Sequence, residues 1–414
     1  MYYDLIRIPM ESAISRELYS LLEGEIIERV MREGKVENQK NYLKSILEGT
    51  SFKITEKMAP QLHLLCQKVQ KRLKFDEPID FFIQNSPVLN CSAFYRLEED
   101  QNHIIMINSE LLERFDEDEL RFIIGHEIGH LISKNSNLLR ILDFIFPRPE
   151  ETPLIFHNKI NLWYKLSELT ADRYGYIASP NLDKCISNFF KLASGLSLNK
   201  ISFNPKEYLA EMERTIEFFQ SEPFQMVTTH PVNPVRIRAL ALFSESQLYQ
   251  STLSNEKIEQ DKDLDLQITE LIDILMFMDR SQLDIDRRFY TASAGLLMAG
   301  ADDNISKDEV DHVVNILSQF TMFPKKFLDY VYRSGNVEMT FQQATARLLR
   351  SNPAEKYPMF HFLINTALSD HELLKCELEF LYDLGDRIFG FTKLEVAQLM
   401  GQVISTKFTP RFYQ

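Results

Sequence analysis

The stretch DEDELRFIIGHEIGHLI, residues 116–132, decides how the rest of the chain is interpreted. Its acidic start suits the N-terminus of a helix, because carboxylates stabilise the positive end of the helix dipole. Apolar residues then recur at the three- and four-residue spacing of a helix with one face against a core. The sequence therefore predicts a single long helix that runs through Ile132.

This predicted helix carries the motif HEIGH at residues 126–130. Residues four apart project from one face of a helix, so His126 and His130 can present both imidazoles to one Zn²⁺. Glu127 can then reach a water molecule at the metal. A pair of core or surface histidines is the alternative. The HExxH spacing favours a zinc site of the gluzincin type.

A catalytic zinc ion usually has three protein ligands and one position open for water. No histidine follows His130 at metzincin spacing, because Ser133 and Ser136 stand where that class has Gly and His. A second predicted helix offers Glu168 and Asp172 one turn apart. Glu168 is the predicted third ligand, and Asp172 the predicted acceptor of a hydrogen bond from a ligand imidazole. Without the histidine motif, these two acids would indicate only a surface helix with salt bridges.

Three segments in order resemble the metallopeptidases grouped with the HtpX heat-shock protease and the CAAX prenyl protease. They are HEIGH at 126–130, SELTADRYG at 167–175 and THPVNPVRIRAL at 229–240. The resemblance runs over about residues 42–242. It implies a zincin-like α+β peptidase domain, one Zn²⁺ per chain, and a protein or peptide substrate.

The resemblance also implies a role for each matching residue. It implies His126, His130 and Glu168 as zinc ligands, Glu127 as the general base and Asp172 as the partner of a ligand. His230 and Arg236 match a pair that helps to hold the substrate or the oxyanion, although His230 could instead be a turn residue.

A strand near the motif is the predicted substrate-binding edge. Residues 90–94, with Asn90, Ala93 and Phe94, resemble the strand to which a peptide substrate pairs by backbone hydrogen bonds. Cys91 lies inside this pattern. Buried filler is preferred for its thiol over a redox-sensitive group.

The C-terminal block resembles a TerB-like helical domain through AGLLMAGADDNISKDEVDHVVNIL at 294–317 and INTALSDHELLKCELEFLYDL at 364–384. The two similar segments predict two helical hairpins. Asp302, Asp303, Asp308 and Glu309 could bind a divalent cation, but they lack the EF-hand pattern. Helix caps and solvated turns are preferred for them, and a regulatory or partner-docking role is expected for the block.

Composition and patterning predict the domain organisation. The 414 residues include 30 Phe and 16 Tyr, enough for large cores, and a net charge of -14 argues against a nucleic-acid binder. The polar stretch 244–265 predicts a boundary. We expect a zinc metallopeptidase domain with N-terminal helices at 1–250, a linker at 251–265 and a TerB-like helical domain at 266–414. The fold class expected is mainly α with a small β-sheet, followed by an all-α C-terminal domain, and the Pro-rich region 135–161 is expected to be a loop or lid.

The location and activity follow from these features. Four scattered cysteines, no signal-peptide pattern and no apolar stretch of membrane-spanning length favour a cytoplasmic protein without a transmembrane segment. The predicted activity is that of a zinc-dependent endopeptidase, which hydrolyses peptide bonds with metal-activated water. The alternative is a non-catalytic interaction or regulatory scaffold that acts through the C-terminal domain. The intact set of His126, Glu127, His130 and Glu168 favours the enzyme, because a degenerate scaffold would be expected to lose one of them.

Overall fold

A computed structural model of the chain describes residues 5–34, 43–96, 101–148, 152–198, 201–221, 231–254, 260–276, 282–301, 305–372 and 374–409. The chain forms two compact units. The first comprises Met1–Thr152, Ile160–Glu222 and Met226–Met276, and the second comprises Pro153–Lys159, Pro223–Gln225 and Phe277–Gln414.

The first unit is mainly helical. Its helices are α1 (Pro9–Leu21), α2 (Gly24–Glu33), α3 (Leu43–Thr50), α4 (Pro60–Arg72), α5 (Ser109–Arg114), α6 (Glu117–Ile132), α7 (Asn135–Ile145), α8 (Leu154–Ala178), α9 (Leu182–Ser194), α10 (Pro205–Ser221), α11 (Asn233–Glu245), α12 (Gln247–Ser254) and α13 (Lys262–Met276). The first residues of α8 belong to the second unit.

A small mixed sheet lies in the first unit. Its strands are β1 (Phe52–Lys53), β2 (Ile79–Gln84), β3 (Cys91–Phe94) and β4 (His103–Asn108), in the order β1-β2-β4-β3. Strand β2 runs parallel to β4, whereas β3 is antiparallel to it, with Cys91 opposite Ile107. Strand β3 is therefore an edge strand of the described sheet.

Helix α6 begins and ends as its sequence predicts. The Asp116 side chain accepts hydrogen bonds from the backbone of Asp118 and Glu119, and the Glu119 carboxylate accepts from the Asp116 N–H. This capping box satisfies backbone donors that the first turn leaves unpaired. The start of α6 is thus set by residues adjacent in sequence.

Two glycines allow α6 to approach α8 closely. A Cβ atom at Gly125 would lie 2.4 Å from the Ala178 Cβ, and one at Gly129 would lie 2.8 Å from the Tyr174 ring. Any larger residue would force the two helices apart. The close approach brings the histidines of α6 next to the acidic residues of α8.

The expectation of a loop or lid at 135–161 is wrong for most of that region. Helix α7 occupies its start, and α8 already begins at Leu154. Leu138, Ile141 and Leu142 recur at helical spacing and are buried, so their burial stabilises a helix here. The prolines come after the end of α7 and do not interrupt it.

The second unit is all-helical among its described residues, which confirms the predicted fold class together with the first unit. Its helices are α14 (Gln282–Ala299), α15 (Lys307–Leu317), α16 (Pro324–Arg333), α17 (Val337–Ser351), α18 (Lys356–Ala367), α19 (Lys375–Arg387) and α20 (Lys393–Lys407), with a 3-10 turn at Pro353–Glu355. Its core includes Ala294, Phe341, Phe360, Ala367 and Phe391.

The structure bears on two predictions about the C-terminal region, the domain boundary and the role of the acidic residues. The predicted boundary lies at 251–265, whereas α13 belongs to the first compact unit, which extends to Met276. Of the acidic residues discussed above, Asp302 and Asp303 lie outside the described residues. Glu309 is buried and forms a capping box with Ser306 at the start of α15, as a helix cap would.

Candidate metal centre

Two helices bring three potential ligands together. The Nε2 atoms of His126 and His130 on α6 lie 3.1 Å apart. Glu168 on α8 places Oε2 3.6 Å from the His126 Nε2 and Oε1 3.4 Å from the His130 Nε2. Within the part of the chain that the structure describes, this is the one group of three or more His, Cys, Asp or Glu residues close enough to share a metal ion. The three side chains are between 12 and 16% exposed, so water can still reach them.

Each imidazole has a polar partner at its Nδ1 atom, on the side of the ring away from the other histidine's Nε2. The Nδ1 of His126 lies 2.9 Å from Asp172 Oδ1. The Nδ1 of His130 lies 3.2 Å from the amide of Asn135, whose own Oδ1 has no hydrogen-bond partner among the described residues. If the Asn135 amide flips, its Oδ1 accepts the His130 Nδ1–H. Both Nε2 atoms would then be free to bind a metal.

Sequence reasoning missed Asn135. Its one signal was its position, the first residue of α7 and five residues after His130. That spacing places it beside the second histidine only because the chain turns sharply between α6 and α7, where Lys134 adopts a left-handed backbone with φ of 55°.

Arg236 of α11 contacts two carboxylates. Its Nε donates to Asp172 Oδ2 at 2.9 Å and its Nη2 to Asp172 Oδ1 at 2.7 Å, while Nη2 lies 3.3 Å from Glu168 Oε2. The guanidinium also stacks over the Phe189 ring. Its contacts in this structure are thus with the carboxylates around the metal centre. His230, its predicted companion, lies outside the described residues.

These contacts shift the charge balance of the site. Burial alone would raise the pKa of Glu168, but the His130 hydrogen bond and the charge of Arg236 hold it well below its usual value. Burial likewise opposes ionisation of Asp172, but Arg236 lowers its pKa. Both carboxylates are therefore ionised. Burial, with some repulsion from Glu168, raises the pKa of Glu127.

A cavity of about 530 Å³ opens over these residues. Besides the three potential ligands, Glu127 and Arg236, it is lined by Leu89, Asn90, Cys91, Ser92, Ala93, Leu111, Phe122, Ile123, Asn135, Ser136, Leu139, Trp163, Tyr164, Ser167, Phe189 and Leu192. Two of the predicted substrate-binding residues, Asn90 and Ala93, lie in this wall. Phe94 instead lines a separate cavity of about 210 Å³.

The outward side of β3 faces the cavity. The Asn108 N–H donates to the Asn90 carbonyl, so alternation along the antiparallel pair leaves the backbone groups of Cys91 and Ala93 on the outer edge. Ala93 already uses this edge, because its N–H donates to Glu127 and its carbonyl accepts from the Ser136 hydroxyl at 3.2 Å. Cys91 is a free cysteine with a thiol pKa raised well above its usual value by burial. Such a thiol fits the filler interpretation better than a reactive group.

The donor set suits zinc. Two imidazole nitrogens and one carboxylate are a combination found in catalytic zinc sites, and hydrogen bonds to the far side of the imidazoles are the usual support of such ligands. All three ligand atoms lie within 4.8 Å of one another.

Comparison with known proteins bears on the same region. Residues 56–145 match the family model described as peptidase family M48. The chain is 24% identical over 220 residues to the plastoglobule-localized metallopeptidase 48 of Arabidopsis thaliana. The aligned stretch covers 50% of this chain and 63% of that protein. It is 29% identical over 97 residues to a protease HtpX homolog of Helicobacter pylori, and these residues cover 22% of this chain and 31% of the relative.

A protease HtpX homolog of Pseudarthrobacter chlorophenolicus is 29% identical over 85 residues, 20% of this chain and 28% of that protein. The chain thus covers less than two thirds of the length of each of these relatives. No solved structure matches the chain. No described helix is long and apolar enough to cross a membrane. Residues 56–145, which contain strands β2, β3 and β4 and helix α6, are thus similar to peptidase family M48.

Proposed function

We propose that the chain is a zinc-dependent endopeptidase that hydrolyses peptide bonds of protein substrates. One observation carries this proposal: two imidazole Nε2 atoms and a carboxylate converge beside the buried carboxylate of Glu127, in a cavity walled by an edge strand. The relatives that match the chain are named as proteases or metallopeptidases, which agrees with this chemistry.

His126, His130 and Glu168 would hold one Zn²⁺. A zinc ion there would polarise the scissile carbonyl and make a water molecule more acidic. Asp172 and Asn135 keep the two imidazoles turned so that their Nε2 atoms face the cavity. Arg236 holds Asp172 and balances the charge of the two carboxylates.

Glu127 moves the proton. Its carboxylate takes a proton from water as the water oxygen attacks the carbonyl carbon, and it then delivers that proton to the nitrogen as the C–N bond breaks. The Ala93 N–H orients this carboxylate. A contribution of His230 to the oxyanion remains a proposal from the family resemblance alone.

The cavity wall indicates how a substrate would lie. An extended peptide can pair with the outer backbone groups of Cys91, and with the Ala93 carbonyl once it displaces the Ser136 hydroxyl. The wall formed by α6 and α9 is apolar, with Phe122, Ile123 and Phe189. We therefore expect cleavage beside bulky apolar residues, as in segments that a folded protein would bury.

The C-terminal unit is proposed to be a TerB-like helical domain that docks partners or regulates the peptidase, and the proposed location is the cytoplasm. A non-catalytic scaffold is the second candidate. It would give no reason for the complete donor set, for Glu127 in the same cavity or for the paired supports behind both histidines.

The test combines metal content with turnover. Glu127→Gln should retain about one zinc per chain by elemental mass spectrometry while cleavage of casein and of an apolar peptide library falls by at least ~10²-fold, the loss expected for a general base. Glu117→Gln is the matched control, since it makes the same change on an exposed turn of the same helix. Undiminished cleavage by Glu127→Gln would refute the proposed mechanism.

A further inference from the structure

The first residues of the described chain are bonded to the helix that carries Glu168. The Ile8 N–H donates to the Thr170 hydroxyl of α8 at 3.2 Å. Arg173, also on α8, donates from Nη1 to the carbonyl of Ile6 at 2.9 Å. Thr170 is fully buried and Arg173 nearly so. Residues 6–8 therefore bond to α8 beside Glu168.

A third attachment involves a buried charge. Glu11, on the first turn of α1, is 0% exposed. Arg7 donates to both of its carboxylate oxygens, at 2.8 and 2.9 Å, and the indole N–H of Trp163 donates to Oε1 at 3.2 Å. A buried carboxylate is costly unless it is paired and hydrogen-bonded, so these contacts hold it in one place.

The three attachment points bracket the metal-centre residues of α8. Trp163 precedes Glu168 by five residues, and Thr170 and Arg173 lie on either side of Asp172. At 1.5 Å per residue, the attachments span about 15 Å of the helix. Contacts spread over that length fix both the rotation of α8 about its axis and its position along it. Glu168 can meet the α6 histidines only if both are correct.

Trp163 connects this arrangement to the cavity. It is fully buried and forms part of the cavity wall. Its indole has one N–H donor, so the bond to Glu11 determines which way the ring plane is turned. A change at Glu11 therefore reaches the cavity through this ring, and it reaches the metal centre through the position of α8.

We propose that residues 6–11, the N-terminal clamp, are a positioning element of the metal centre, and that Glu11 is its central residue. The proposal rests on the proposed zinc site. In it, Glu11 touches neither metal nor substrate. It sets the ring of Trp163 and the placement of α8, and through α8 the placement of Glu168.

The chain offers a matched control. Arg29 and Glu33 on α2 form an ion pair with the same four-residue spacing and a 2.8 Å contact, but both are mostly exposed. Glu33→Gln thus removes the same charge from the same kind of pair at a site without a buried partner. It is expected to leave zinc affinity and turnover unchanged.

The experiment measures zinc affinity by competition with a chromogenic chelator, alongside KM, kcat and thermal unfolding. The variants are Glu11→Gln, Trp163→Phe, their combination and Glu33→Gln. Glu11→Gln should weaken zinc binding by at least ~5-fold and raise KM more than it lowers kcat. Trp163→Phe removes the N–H together with part of the ring volume, but it leaves Glu11 paired with Arg7, so it should fold even if Glu11→Gln does not. If Glu11 acts through Trp163, the double variant should bind zinc about as tightly as whichever single variant binds it less tightly, because both changes disturb the same contact between Glu11 and Trp163.

The outcomes separate the two proposals. If the unaltered chain binds zinc but Glu11→Gln and Trp163→Phe lower only the unfolding temperature, the clamp has a merely structural role and the inference is overturned. If the effects of the two changes on zinc affinity multiply, Glu11 does not act through Trp163. If the unaltered chain binds no zinc, the proposed function fails and the clamp proposal fails with it.

Discussion

Helices α6 and α8 both contribute potential ligands, but different contacts fix their positions. Helix α6 is capped by its own residues, Asp116 and Glu119, and carries two of the three potential ligands one turn apart. Helix α8 carries Glu168, and its placement depends on the N-terminal clamp and on Arg236 of α11. A local motif can thus predict two of the three potential ligands. The position of the third depends on contacts between residues far apart in the chain.

The largest expected effect is the loss of zinc binding on substitution of Glu168, compared with the smaller loss on substitution of Asp172 one turn further along α8. Glu168→Ala should abolish zinc binding and lower turnover by more than ~10³-fold, because two imidazoles alone make a weak site. Asp172→Asn keeps all three ligands and should weaken zinc binding by only about 10- to 100-fold. Elemental analysis and chelator competition check both. Equal zinc content in Glu168→Ala and the unaltered chain would exclude Glu168 as a ligand.

The next test forces α6 and α8 apart. Gly125→Val should lower the free energy of unfolding by about 3 kcal/mol, because its Cβ would lie 2.4 Å from that of Ala178. Gly49→Val is the control, since a Cβ at that position of α3 meets no atom within 4 Å. Urea unfolding followed by circular dichroism measures the difference. Equal stabilities would show that the two helices can separate without cost.

A smaller effect distinguishes two roles for Arg236. If it orients Asp172 and Glu168, Arg236→Lys should weaken zinc binding by about 10-fold, because lysine cannot reproduce the two-pronged contact. Arg238→Lys, two residues further along α11 at a half-exposed ion pair with Glu213, should change nothing. If Arg236 instead acts on the substrate oxyanion, kcat would fall while zinc affinity stays the same.

The smallest effect concerns a histidine away from the metal. His103 on β4 accepts a hydrogen bond at Nδ1 from the Arg96 N–H and lies 3.0 Å from Glu77 at Nε2. Burial lowers its pKa below the usual 6.5, although Glu77 opposes this. The unfolded chain therefore binds the extra proton first, and stability falls as pH drops below about 6.5, with no contribution above it.

His103→Gln should remove this part of the pH dependence. The measurement is urea unfolding at pH 7.5 and pH 5.5, with His63→Gln on α4 as the control. The difference in unfolding free energy between the two pH values should shrink in His103→Gln only. A larger difference in that variant would mean that the protonated imidazole is the form that the fold prefers.

Particular residues show how far sequence reasoning reached. The runs 79–83, 88–95 and 104–107 are rich in β-branched and aromatic residues, a composition that predicts strands, and β2, β3 and β4 lie there. The predicted end of α6 at Ile132 also agrees. In contrast, the region 135–161 was expected to be irregular because of its prolines. The prolines lie beyond the end of α7, and the buried leucines and isoleucine before them stabilise that helix.

The residues of the candidate site also divide into those that a local sequence pattern indicates and those that depend on packing between helices. The HEIGH motif and the paired acids of α8 could be identified because helical spacing alone aligns each set on one face. Asn135, and the contacts of Arg236 with two carboxylates, depend on where separate helices meet. Phe94 follows Ala93 directly but does not line the main cavity, because its side chain packs against the apolar cluster of Leu47, Phe82 and Ile104.

By itself, the sequence determined the helical spacing of His126 and His130, the acidic pair on α8, the three short strands and the mainly helical class. These are local properties, set by spacing, capping and apolar periodicity within a few turns of chain. Only the tertiary structure decided that α13 packs with the first unit, that Arg236 bonds to Asp172, and that Glu11 lies buried against Trp163 across 152 positions of sequence. Such contacts form between residues that share no local pattern, because the packing of whole helices, and not the identity of neighbours in the chain, brings them together.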